Sequence, residues 1–218
     1  MHKLTKFYLL LLLAVIIAGS ALTYQLIRAR KITVKPVETP LISEGYYDIT
    51  IEDDDPILGN PGAPLTVVLF SNYSCTNCQS KYRDITAFVK AHPQDVRLYI
   101  KNTPQGGMIF KANDLAERAV FCANKQNKFW QFSDAVIENK QTVNENNLSQ
   151  IANDLKLNTT DWLGCLNSDT AIQKTKRAID LAASLGIDQF PTIYVNNKKI
   201  NLDKDLSITD MLTKFIVK

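Results

Sequence analysis

The sequence predicts an α/β domain in which a block of helices separates an early strand–helix–strand run from a late strand–strand–helix run. Three observations carry this. Leu65-Thr66-Val67-Val68-Leu69-Phe70 is apolar and β-rich, follows the punctuated Gly59-Asn60-Pro61-Gly62-Ala63-Pro64, and reads as a strand buried on both faces. From about Ile109 to Leu166 the apolar residues recur at helical spacing. Thr192 to Val195 returns to strand composition, and Asn196-Asn197 reads as a hairpin turn into Lys199 to Asn201.

The remaining elements follow in order. After the first strand, Tyr82, Ile85, Phe88 and Val89 share one helical face that ends near His92-Pro93, because the residue before a proline is pushed out of the α region. Val96 to Ile100 is a second strand. The inserted block divides into helices at Ile109 to Lys125, Phe129 to Glu138, Leu148 to Leu155 and Asp161 to Leu166. A further helix is expected over Thr170 to Leu185, with Ile172, Ile179, Ala182 and Leu185 on its apolar side and Gly186 as C-cap glycine. Leu206 to Val217 closes the chain as a helix.

Length and composition narrow the function. At 218 residues, 45% hydrophobic and 22% charged, the chain suits one well-filled globular domain. With only two histidines, His2 in the N-terminal targeting segment and His92, a serine-protease triad or a multi-histidine metal centre is hard to build. No basic block is interleaved with aromatics and no glycine loop cradles phosphate, which argues against nucleic acid as a partner. Between Lys35 and Lys81 there is no basic residue, while Glu38, Glu44, Asp48 and Glu52 through Asp55 are acidic; this stretch reads as a solvated tether.

Phe7 to Ile27 is uncharged and follows Lys3 and Lys6, the layout of an export signal. Ala18-Gly19-Ser20-Ala21 offers a cleavage site, and left uncut the segment would span about 31 Å, enough to cross a bilayer. Residues 1–31 are therefore expected to be an export signal or membrane anchor, 32–57 an acidic, proline-containing linker, and 58–218 the folded domain, with an insertion at about 109–168. Export implies a periplasmic or other extracytoplasmic, oxidising location.

Cys75-Thr76-Asn77-Cys78 carries the chemistry. It lies where a buried strand ends and a helix begins, and the unpaired N–H groups and macrodipole there stabilise a thiolate. An ordinary thiol is only about 3% ionised at pH 7, so that stabilisation matters. Cys75, at the exposed start of the turn, is the expected nucleophile; Cys78, three residues on and facing inward, is the resolving thiol. Scattered at random, four cysteines produce this spacing in roughly one chain in twenty, so its strand-to-helix context carries the weight. Phe190-Pro191-Thr192 opens a strand, and a cis Pro191 there would present backbone polar groups to an extended peptide; a trans proline on an edge strand is the simpler reading. Cys122 and Cys165, on two different inserted helices, are expected to form a structural disulfide, the alternative being two buried thiols. Phe129, Trp130 and Trp162 read as core, and Tyr73 as an aromatic at the surface of the site.

From about Leu58 onward the chain resembles the DsbA-like branch of the thioredoxin superfamily. The resemblance is carried by Gly59-Asn60-Pro61, Tyr73-Ser74-Cys75-Thr76-Asn77-Cys78, Cys122-Ala123-Asn124 with Lys128-Phe129-Trp130, and Leu185-Gly186-Ile187 through Phe190-Pro191-Thr192. It implies a thioredoxin fold with a helical insertion between its β-α-β and β-β-α parts. It implies an exported, monomeric thiol–disulfide oxidoreductase with Cys75 and Cys78 as redox pair, Pro191 as cis proline, and Phe190 and Thr192 beside it facing substrate. No metal or other cofactor is implied; the partners are reduced or unfolded exported proteins and a membrane redox protein. The chain departs from the family at Thr76-Asn77, the active-site dipeptide; at Asn72, where many relatives are acidic; and at Phe190. Disulfide formation is the expected role. The alternatives are a reductase or isomerase kept reduced by a membrane donor, and a non-catalytic tethered domain whose cysteine pairs are staples.

Overall fold

The computed structural model describes residues 45–104, 114–139, 143–201 and 207–216, with isolated positions before residue 25. The chain divides into two units, Met1–Thr39 and Pro40–Lys218. In the first, the described positions are helical, and most of the expected export segment lies outside the described residues. Among the described residues no helix is long and apolar enough to cross a membrane.

The second unit holds a five-stranded sheet of β1 (Ile57–Leu58), β2 (Leu65–Ser71), β3 (Val96–Asn102), β4 (Thr192–Val195) and β5 (Lys198–Ile200), in the order β1-β3-β2-β4-β5. Strands β2 and β3 run parallel, joined by α1 (Thr76–Ala91); the other pairings are antiparallel. Central β2 is buried on both faces, and its alternation divides the apolar residues between two cores. Leu65, Val67 and Leu69 join the larger core with α1 and the inserted helices; Val68 and Phe70 join a smaller one with Ile49, Ala182 and Tyr194. The β4–β5 hairpin turns at Asn196 and Asn197, both at positive φ (47° and 64°), as a two-residue turn of this kind requires.

Among the described residues five helices lie between the two halves of the sheet in sequence: α2 (Leu115–Asn124), α3 (Phe129–Glu138), α4 (Glu145–Asp154), α5 (Thr159–Leu166) and α6 (Asp169–Ser184). Helix α7 (Ile208–Ile216) follows the hairpin. Residues 105–113 lie outside the described residues, so the expected start of a helix at Ile109 does too. Asn144, Asn158 and Ser168 cap α4, α5 and α6 with side-chain oxygens, which is why these polar helices start where they do. Cys122 on α2 and Cys165 on α5 form a disulfide with Cα atoms 5.7 Å apart. Beside it Trp162, fully buried, donates its Nε1–H to the Ala119 carbonyl at 3.0 Å and stacks on Phe132.

Three expectations are corrected. Helix α6 turns Ala182 and Leu185 inward as expected, but it buries Ala171 and Thr175 while Ile172 is 42% exposed. The small residues form the inward stripe, and Ile172 stands one position round the helix from it. The strand β1 has no counterpart in the sequence reading, which placed Ile57 in the linker. Gly59, just after β1, has φ +91°, and a Cβ there would lie 2.2 Å from the Val96 carbonyl oxygen, so only glycine fits.

The largest correction concerns the acidic stretch. Residues 46–58 run along the domain instead of forming a solvated tether. The Tyr47 N–H bonds the Asn197 carbonyl, Ile49 is buried, and Trp130 Nε1–H donates to the Ile57 carbonyl. Asp55 pairs with Lys101 where both side chains are nearly inaccessible. Lys174 bonds Glu52, Asp54 and Asp55 together, and Arg177 adds a 2.8 Å contact to Glu52. Burial alone would lower the Lys174 pKa, but these bonds outweigh it and raise it. The cations that fold this segment down come from β3 and α6, well over a hundred residues away for α6, so a reading of local charge runs could not find them.

Candidate active site

Strand β2 ends at Ser71, and four residues later Cys75 caps α1. Its backbone is extended (φ −100°, ψ 112°), its Sγ accepts the Cys78 N–H at 3.1 Å, and its carbonyl accepts the Gln79 N–H. No acidic residue occupies the first turn of α1, so nothing there offsets the positive end of the helix. Cys75 and Cys78 are joined in a disulfide with Cα atoms 5.2 Å apart. The two sulfurs differ in access: Cys75 is partly exposed, Cys78 is at 0%, and Thr76 and Asn77 are exposed between them.

Across from the pair, the Phe190–Pro191 peptide bond is cis, and the Phe190 carbonyl oxygen lies 3.8 Å from Cys75 Sγ. The Phe190 ring packs on the smaller core, so its backbone and not its side chain fronts the cysteine. Thr192 departs from the expectation that it faces substrate. It is buried, pairs with Phe70 in the sheet, and donates its hydroxyl to the Gln189 carbonyl at 2.7 Å, closing the proline loop from inside.

Tyr73, expected at the surface, is buried beneath the site. Its hydroxyl is held by Ser133 of α3 and by Asn102 of β3, and burial pushes its phenol pKa up. Its carbonyl accepts from the Gln79 side chain. Asn72 is 2% exposed; its amide donates to the Thr103 carbonyl at 2.8 Å and accepts the Ser74 N–H at 2.7 Å.

The sequence reading missed Glu117 of α2. This carboxyl is 7% exposed and shares a pocket of about 250 Å³ with Lys101, Asn102, Phe121 and Lys174. Burial pushes its pKa up to about 7; Asp114 adds to the rise, while Arg118 and the backbone amides of Glu117 and Tyr73 oppose it. The available signal was a lone acid within the apolar pattern of Ala116, Ala119, Val120 and Ala123. A carboxyl that keeps its proton up to pH 7 in the folded chain loses it near pH 4.5 when unfolded. Stability from this group therefore falls as pH rises between those values, by about 3 kcal/mol in all. Glu117→Gln is expected to match the parent near pH 4 and to exceed its stability by about that amount at pH 8 in urea titrations. Equal stability of the two at pH 8 would contradict it.

Glu52, Asp54 and Asp55 bring carboxylate oxygens within 4.8 Å of one another, a spacing that suits a cation. The Lys174 ammonium bonds all three, so the chain itself supplies the positive charge there.

A family model described as thioredoxin matches residues 52–216. The chain belongs to the thioredoxin family. It is similar to a probable disulfide bond formation protein D of Bacillus cereus, 28% identical over 68% of this chain and 73% of that one. The oxidised crystal structure of BdbD from Bacillus subtilis superposes with a TM-score of 0.64 at 27% identity, covering 79% of this chain and 95% of that one. A Na(+)/H(+) antiporter NhaA of Herminiimonas arsenicoxydans is 24% identical over 76% of this chain, which spans only 26% of the antiporter's length. Within the family the chain is a DsbA-like protein thiol–disulfide oxidoreductase, with a thioredoxin fold interrupted by a helical insertion. Enzymes of this class work through the redox chemistry of their own cysteines, without a further cofactor.

Proposed function

We propose that the protein forms disulfides in exported proteins, in the periplasm or another extracytoplasmic space, by handing on the Cys75–Cys78 disulfide. The carrying observation is the asymmetry of the pair: Cys75 Sγ is reachable at the head of α1, while Cys78 is sealed behind it. A substrate thiolate attacks Cys75 Sγ, and Cys78 departs as a thiolate that takes up a proton. A second thiolate of the substrate then attacks the substrate sulfur bound to Cys75, closing the substrate disulfide and releasing Cys75, whose negative charge the Cys78 N–H and the helix N-terminus receive. Two electrons pass from two substrate thiols to the enzyme pair, and a membrane redox partner takes them on to restore the disulfide. The cis Pro191 lies alongside as a docking edge for an extended substrate segment. Residues 1–31 serve as export signal or anchor, Cys122–Cys165 as a structural brace, and the enzyme acts as a monomer.

The decisive test is the equilibrium of the Cys75–Cys78 pair in glutathione buffers. A potential near about −120 mV is expected of a disulfide donor. A value near about −270 mV would replace this reading with a reductase kept reduced by its partner.

A further inference from the structure

We propose that Asn72 is a positioning residue for disulfide exchange, its side-chain amide holding Cys75 in place as the cap of α1. This rests on the reading of Cys75–Cys78 as the exchanging pair.

Asn72 touches neither sulfur, yet it fixes the backbone on which Cys75 stands. Its Oδ1 accepts the N–H of Ser74, its backbone carbonyl accepts the N–H of Cys75 at 3.3 Å, and its Nδ2–H donates to the carbonyl of Thr103. Thr103 is itself anchored by its N–H to the Ser71 carbonyl, so the amide ties the cysteine turn to the end of β3. One side chain thus serves an N–H on one side and a carbonyl on the other, and only a group with both an acceptor and a donor can do that. An aspartate in its charged form would keep the bond to Ser74 but turn a negative oxygen on the Thr103 carbonyl. That would happen at a buried site where Glu117 already lies by the Tyr73 amide.

The consequence for chemistry comes from comparing redox states. In the oxidised enzyme the covalent bond to Cys78 holds Cys75 in position, whatever Asn72 does. After reduction that bond is gone, and Cys75 Sγ stays on the Cys78 N–H only if residues 72–75 keep their turn. Asn72 therefore stabilises the reduced form more than the oxidised one, and in doing so makes the disulfide a better oxidant. This is also a reason for an amide where the family pattern led to an acid: a negative charge three residues before Cys75 would oppose the thiolate that exchange must produce.

The test compares full-length wild type, Asn72→Ala and Asn72→Asp in glutathione buffers at pH 8, with thermal midpoints of the oxidised and reduced forms. Asn72→Ala is expected to move the redox equilibrium about fivefold toward the disulfide, roughly the worth of one hydrogen bond, and to lower the reduced midpoint more than the oxidised one. Asn72→Asp should move it further in the same direction, because its charge lies buried beside the cysteine turn and opposes the thiolate. An Asn72→Ala equilibrium within about twofold of wild type, with equal losses in both midpoints, would leave Asn72 a purely structural residue and overturn the proposal. So would an Asn72→Asp enzyme with the wild-type equilibrium, since the bond to Thr103 would then be dispensable. Failure of the wild-type pair to exchange with glutathione at all would instead sink the exchange reading, and this inference with it.

Discussion

Cys75→Ser is expected to reduce disulfide transfer to a model dithiol substrate to the uncatalysed background. A serine hydroxyl neither forms the disulfide nor leaves as a stable anion near neutral pH. Cys78 cannot stand in, because it is fully buried on the inner side of the first turn of α1. Cys78→Ser should behave differently. Given a disulfide-bonded model substrate, its Cys75 thiolate still attacks one substrate sulfur and expels the other as a thiolate, but no Cys78 is present to displace the bound sulfur, so a mixed disulfide should accumulate and be visible by mass spectrometry of acid-quenched samples. Retained transfer in Cys75→Ser, or a trapped species on Cys78 in place of Cys75, would reverse the assignment of the pair.

The second large effect is one of stability. Removing the brace with Cys122→Ala and Cys165→Ala opens a loop closed across a sequence separation of 43, which in the chain-entropy account costs about 4 kcal/mol. In a domain of this size that corresponds to a fall in melting temperature of about 8–16 °C. The fold should survive, because α2 and α5 are also tied by Trp162 to the Ala119 carbonyl and by Arg118 to the Leu166 carbonyl at 2.6 Å. Denaturant midpoints of the double variant against its parent measure the loss. A loss under about 1 kcal/mol would assign the joint to packing and hydrogen bonds and leave the disulfide a passenger.

Much of this fold was legible because its signals are local. The apolar run at Leu65 to Phe70, the proline after His92, the glycine at 186 and the paired asparagines at 196 and 197 each limit a few neighbouring residues, and those limits hold in the structure. The cysteine pair was legible for the same reason: a spacing of three at a strand-to-helix junction needs no distant partner. What escaped depends on residues far apart in sequence. The burial of Tyr73 is decided by Asn102 and Ser133, and the folding down of Glu52 to Asp55 by Lys101 and Lys174. Thr192 is turned inward by its pairing with Phe70 of β2, far earlier in the chain. Glu117 escaped because helical periodicity records how apolar a face is and passes over a single acid set in it.

The folded-down acidic segment also governs where this protein can be cut. Trimming it to a soluble form beginning at Leu58, the boundary that composition suggests, would remove Asp55, Asp54 and Glu52 and leave the ammonium of Lys101 stranded in the interior, with Lys174 without its counter-charges. Removing one member of a buried ion pair typically costs about 3–5 kcal/mol, a large share of a domain's whole stability. A truncated protein of that design would fail as a folding unit before its chemistry could be assayed, and a version starting ahead of Tyr46 would keep both lysines matched.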